Sequence, residues 1–167
     1  TCFKNMKKTF STAFFSLCLF CGMTALSPAD VPVRHTSFKP GEIWTDNNGV
    51  HINAHGGGIL YDKGTYYWYG EHKGAKNCPG TTRVDVIGIS CYSSKDMNSW
   101  RYEGLALDVK DSPKGSLIQP ENVCERPKVL YNKKTGKFVM WMHLDTPNYT
   151  YAGVAVAVAD RPIGPFT

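Results

Sequence analysis

Three short stretches of this 167-residue chain gather side chains that could do chemistry. The first runs from Trp44 to Gly58 and holds Asp46, His51, Asn53, His55 and the run Gly56-Gly57-Gly58. The second is Tyr69-Gly70-Glu71-His72-Lys73, and the third is Cys124-Glu125-Arg126-Pro127-Lys128-Val129. His51 and His55 have the i, i+4 spacing of paired zinc ligands on a protease helix. The residue after His51 is Ile52 rather than the required Glu, however, and the three glycines would break a helix there. The same glycines make no phosphate cradle, since no helix follows whose N-terminus could meet the anion. They suit a backbone that passes close to a central channel. The remaining polar side chains can make hydrogen bonds. Glu71 and Glu125 can accept from hydroxyl groups, Arg126 can donate several hydrogen bonds, and His55, His143 and Tyr149 are further candidates for the same site. Plainer readings of these residues are an ion pair between Glu125 and Arg126 and a solvated hairpin end at Glu71.

The elements that must position them are strands. From Gly41 onward, short aromatic and β-branched runs are bounded by Gly, Asn, Asp and Pro with hardly a helical period, so the chain is all-β. Ile59 to Tyr69 reads as strand, turn and strand, with Asp62-Lys63-Gly64 as the hairpin loop. Val129 to Trp141 repeats that unit with two more turn residues, its loop being Asn132-Lys133-Lys134-Thr135-Gly136. A third strand follows each hairpin, Val86–Ser93 and Ala152–Ala159, and each leads to a loop closing on an aromatic, Trp100 or Phe166. A meander recurring after roughly 65 to 72 residues is the mark of β-propeller blades, each too thin to bury both of its faces alone. The competing architecture is a β-sandwich with chance similarity between strands. In a propeller the inner strands converge on one axial channel, which is where the three stretches fall. Of Tyr66-Tyr67-Trp68-Tyr69, alternation buries half between blades, so most are core rather than stacking platforms.

Ahead of these elements, Lys4, Lys7 and Lys8 precede an apolar run from Phe10 through Leu26 and the small-residue segment Ala25-Leu26-Ser27. This predicts a secretory signal peptide over residues 1–27, with Met6 as the start and Thr1 to Asn5 as an upstream extension. An uncleaved anchor and lipidation at Cys21 are the alternatives. Residues 28–40 read as a proline-bearing linker and 41–167 as the first blades of a propeller domain that stops before it closes. Beyond the leader, 16 basic residues stand against 14 acidic ones, a formal +2, with no basic patch for nucleic acid and no membrane contact once the leader is removed. Cys78, Cys91 and Cys124 allow at most one disulfide and no zinc site. No cofactor or metal is implied, and the expected location is periplasmic or secreted.

His51 to Tyr61, Tyr66 to Glu71, Glu125 to Asn132 and the closing Ala159-Asp160-Arg161-Pro162-Ile163-Gly164-Pro165-Phe166 together resemble glycoside hydrolase family 43, particularly its exo-β-1,3-galactanase-like branch, over about Gly41 to Thr167. The resemblance implies a five-bladed propeller that cleaves glycosidic bonds of a plant-type polysaccharide, β-galactan or a related one, with inversion. Inversion needs an acid to protonate the leaving oxygen and a base to activate water on the opposite face of the sugar. The family's usual base is an Asp where this chain has Ala54-His55-Gly56, a departure shared by the galactanase-like branch. The family's acid, a Glu of the third blade, would lie beyond Thr167, as would the amide that orients water in that branch. Glu125 matches the second-blade carboxylate that touches sugar hydroxyls and tunes the acid's pKa. On this reading the 167-residue chain alone lacks the acid and is inactive. The alternative function is a non-catalytic glycan-binding propeller.

Overall fold

Residues 32–76 and 83–167 are described by the structure, a computed structural model. The leader and Cys78 lie outside the described residues. Seven strands follow in order: β1 (His55–Asp62), β2 (Thr65–Glu71), β3 (Gly88–Ser94), β4 (Arg101–Asp108), β5 (Val123–Asn132), β6 (Lys137–Asp145) and β7 (Gly153–Ala159). They form two antiparallel meanders, β1-β2-β3-β4 and β5-β6-β7.

Each hairpin follows from its turn residues. Asp62 pairs with Thr65, leaving Lys63 and Gly64 as a two-residue loop with both φ values positive, the geometry that matches strand twist. In the second hairpin the Asn132 side chain caps the turn by accepting from the N–H groups of Lys134 and Thr135. Gly136 at φ 68° then closes it through its own N–H to the Asn132 carbonyl.

The repeat extends further than the predicted strands did. The first inner strand begins at His55, four residues before Ile59, because the glycine run is a β-bulge rather than a loop. The third strands start later, at Gly88 and Gly153, and β4 supplies an outer strand for the first sheet. After β7 the chain turns back toward the first sheet, where the Phe166 N–H donates to the Ala106 carbonyl and the Tyr69 hydroxyl donates to the Pro162 carbonyl.

Alternation along the strands divides the apolar side chains between two cores. Tyr67 and Tyr69 face the seam between the sheets, where Ile89, Cys91 and Leu107 meet Val129, Phe138, Met140, Met142 and the alanines of β7. Tyr66 and Trp68 face the other way, onto Trp44, Ile52, Ala54 and Trp100. In that second core Trp68 lies 5.5 Å from Trp44 and 5.3 Å from Trp100 between ring centroids. The lead-in covers this face and is tied to it, with the Val33 N–H donating to the Asn47 carbonyl and the His35 N–H to the Ser99 hydroxyl.

Cys91 and Cys124 are both free and buried in the seam. Burial pushes their thiols up, Cys124 to about 12, so they act as small apolar residues there. The opposite face of the second sheet exposes Trp141, Val154, Val156 and Val158, and the two sheets do not close into a ring. Thin meanders that bury one face against each other through a shared seam are neighbouring blades of a β-propeller.

Candidate active site

The site lies at the head of the seam, where β1 and β5 start side by side. Both inner strands carry a bulge there, between His55 and Gly58 and between Glu125 and Lys128. In each bulge the residue after the polar side chain is left-handed: Gly56 at φ 59° and Arg126 at φ 55°. Only glycine adopts that conformation without cost, so Arg126 holds local strain that the surrounding structure must offset. The effect is to turn His55 and Glu125 toward one end of the seam.

The two blades contribute the same pair in opposite order. On the first, His55 of β1 stands opposite Glu71 of β2, with His55 Nδ1 3.4 Å from Glu71 Oε1. On the second, Glu125 of β5 stands opposite His143 of β6, with His143 Nδ1 3.5 Å from Glu125 Oε2. Glu71 is buried and largely committed to protein partners: its Oε1 is also 3.4 Å from the Arg126 N–H, and its Oε2 pairs with Lys73. It therefore ties the first blade to the bulge of the second.

Glu125 is held differently. The Tyr149 hydroxyl donates to Glu125 Oε1 at 2.7 Å, and that carboxylate partner raises the Tyr149 pKa, with burial adding to the effect. Glu125, Tyr149, Glu71, Lys73 and Arg83 line a cavity of about 300 Å³ between the blades. Carboxylate acceptors facing cationic donors and a tyrosine around a small open cavity suit the ring hydroxyls of one sugar. Among the described residues, no group of three or more His, Cys, Asp or Glu side chains is arranged to hold a metal ion.

The structure thus brings together Glu125, Glu71, His143, Tyr149 and His55. It does not bring the Arg126 side chain into the cavity. Arg126 contributes its backbone N–H to Glu71, and it lines a separate groove with Lys128, Trp141 and Val154, a groove that His143 lines as well. Arg126 makes no ion pair with Glu125 among the described residues. Arg83 and Asp145 were not singled out from the sequence. Arg83 sits in a stretch without periodicity and is fixed by donating to the Glu121 and Asn122 carbonyls. Asp145 had a legible signal, since His143 and Asp145 are two apart on one strand and so share a face.

Asp145 is almost fully buried, and its Oδ2 lies 3.0 Å from His143 Nε2. Desolvation, the largest single influence, would raise its pKa. Hydrogen bonds from the backbone N–H groups of Tyr151, Ala152 and Thr146 and from His143 outweigh it and hold the carboxyl below the usual range. A depressed folded-state pKa gives stability that is complete above the unfolded value, about 3.9, and is lost as pH falls through the lower folded value. The melting temperature of wild type should therefore fall more steeply than that of Asp145→Asn as pH drops below about 4. Parallel acid slopes in thermal melts would contradict this.

No family model and no curated protein matches the chain, but solved structures do. A β-1,3-galactosidase of glycoside hydrolase family 43, solved with galactodeoxynojirimycin, is 46% identical over 80% of this chain, with a TM-score of 0.63. This chain belongs to glycoside hydrolase family 43. Two exo-β-1,3-galactanases share the likeness. The one from Phanerochaete chrysosporium, solved with galactose, is 39% identical over 81% of the chain at a TM-score of 0.66. The one from Clostridium thermocellum is 42% identical over 76% at 0.66. The chain spans 36%, 29% and 25% of the lengths of these three proteins. The family 43 fold accounts for the two-blade seam, and the galactanase-like branch is the part of the family that the chain's own motifs resemble.

Proposed function

We propose that these two blades form part of the catalytic propeller of an exported glycoside hydrolase that removes galactose from β-1,3-galactan with inversion. The observation that carries this reading is Glu125. It sits in the seam cavity, held from one side by Tyr149 and faced from the other by His143, in a chain 39–46% identical to β-1,3-galactan-cleaving enzymes. In this role Glu125 accepts from hydroxyls of the terminal galactose. Its negative charge, close to an acid supplied by another part of the protein, keeps that acid protonated by like-charge repulsion. Tyr149 and Lys73 add hydrogen bonds to the same sugar. Water enters from the opposite face, as inversion requires.

The test uses the full-length gene product, exported from a host and then purified. Sequencing its N-terminus should place the mature start between Ser27 and Val31. Proton NMR of a β-1,3-galactan digest should show α-galactose first, with the β-anomer growing in later by mutarotation. Early β-galactose would contradict inversion. Binding of the galactan without any release of galactose would make the protein a glycan-binding propeller.

A further inference from the structure

Asp145 does not line the cavity, yet the loop whose Tyr149 donates to Glu125 and the His143 ring that faces Glu125 are both anchored to it. Its Oδ2 takes His143 Nε2 at 3.0 Å, and the other ring nitrogen is the one that faces Glu125 Oε2. Its Oδ1 accepts from the N–H groups of Thr146 at 2.9 Å and Tyr151 at 2.8 Å, the two ends of the loop that carries Tyr149. That loop needs such an anchor. Tyr149 and Ala152 both have positive φ, at 58° and 51°, conformations that non-glycine residues hold only when the surroundings enforce them. Within the loop, the Thr146 and Thr150 hydroxyls donate to the Asn148 side-chain oxygen, so its turn is built around the Asp145 end of β6.

We propose that Asp145 is the positioning residue of the galactose site: one oxygen orients the His143 ring toward Glu125, and the other folds the 146–151 loop that brings the Tyr149 hydroxyl onto the same carboxylate. This rests on the reading of Glu125 given above. An ionised carboxylate is acceptor-only, so the ring nitrogen facing Asp145 carries the hydrogen, and Nδ1 is fixed on the Glu125 side. Asparagine at 145 has one acceptor oxygen for two tasks: if that oxygen stays with the Thr146 and Tyr151 N–H groups, its amide N–H₂ meets His143 Nε2 and reverses the tautomer of the ring. Substrate contacts are then lost without any substrate-touching group having been removed.

The experiment combines kinetics with a measurement that needs no substrate. In the full-length protein, Asp145→Asn should lower kcat/KM on β-1,3-galactan by about ten- to a hundredfold, the range for displaced site groups. Adding Asp145→Asn to His143→Ala/Tyr149→Phe should cost almost nothing more, because the groups it acts through are already gone. Full additivity would overturn the proposal. Nitrogen-15 NMR of the histidine rings in wild type should show His143 protonated at Nε2, with that signal moved or lost in Asp145→Asn. A His143 ring unprotonated at Nε2 in wild type would overturn the proposal even if the asparagine variant failed to fold. A folded Asp145→Asn protein with unchanged kcat/KM and unchanged ring signals, but a lower melting temperature, would reduce Asp145 to a structural role. Should wild type release no galactose, the reading of Glu125 as a hydrolase residue falls, while the ring signals still decide whether Asp145 orients His143.

Discussion

Glu125→Gln is expected to lower kcat of the full-length protein on β-1,3-galactan by about a hundredfold or more, the scale at which a single acid–base or charge-stabilising contribution is lost. Glutamine keeps the shape of the side chain and an oxygen that can accept from Tyr149, so the fold of the bulge should survive. It removes the charge. In the proposed mechanism that charge does two things: it accepts from sugar hydroxyls more strongly as the transition state forms, and it raises the pKa of the neighbouring acid. The second effect fixes a sign. The acid works while protonated, so its pKa sets the alkaline limb of the pH–rate profile. Removing a negative neighbour lowers that pKa, and the limb should move to lower pH. Glu71→Gln has a different expectation. Glu71 is already taken up by Lys73, His55 and the Arg126 N–H, and its substitution should act first on the seam between the blades. A near-normal kcat/KM and an unmoved alkaline limb in Glu125→Gln would leave Glu125 as a partner of Tyr149 and His143 and nothing more.

The second large effect is structural. Gly57 lies in the β1 bulge, and a Cβ there would land on the Tyr69 carbonyl oxygen and against Nε1 of Trp68. Neither can yield cheaply, since one is strand backbone and the other belongs to the tryptophan core beside Trp44 and Trp100. Gly58 next to it is confined from the other blade, by the Lys128 side chain at 2.8 Å and the Pro127 carbonyl at 3.0 Å. Overpacking at such a position costs about 3 kcal/mol. Gly57→Ala should therefore lower the melting temperature by several degrees and, because the bulge aims His55 and packs against Arg126 and Pro127 of the strand that carries Glu125, also lower kcat/KM well below the melt. A melting temperature within a degree of wild type would mean that β1 does not approach β2 as closely as the bulge requires.

Much of this was legible in the residues themselves. The turn chemistry of Asp62-Lys63-Gly64 and Asn132 to Gly136 marked both hairpins, and their recurrence marked the blades. Alternation through Tyr66 to Tyr69 correctly divided the aromatics between two cores. The glycine run was read as backbone passing close to the channel, and its membership of β1 was not visible, because three consecutive glycines have no strand propensity and are held by the bulge and by β2. The groove that Arg126 lines was not visible for a related reason. A left-handed residue inside a strand reverses the side to which its side chain points, and nothing in Glu-Arg-Pro announces that turn. The 146–152 loop was equally opaque. Its left-handed positions are a tyrosine and an alanine, residues that carry no turn signal, and their conformation is set by hydrogen bonds to Asp145.

The mirrored His–Glu pairs occupy equivalent positions of the repeat. His55 corresponds to Glu125, and Glu71 to His143, once the second hairpin's two extra residues are allowed for. One blade pairs its carboxylate with Lys73 and the neighbouring bulge, while the other holds its carboxylate at the cavity with Tyr149. In the proposed function the same strand positions divide the work, the first blade fastening the seam and the second meeting the sugar.

The most direct measurement is the rate of galactose release by the full-length protein from β-1,3-galactan, set beside β-1,4-galactan, arabinan and xylan at equal chain-end concentration. On the proposed function, release is expected from the β-1,3-linked polymer, with little or none from the others, and that release is lost in Glu125→Gln. Equal cleavage of several linkages, or β-1,3-galactan hydrolysis undiminished in Glu125→Gln, would contradict it.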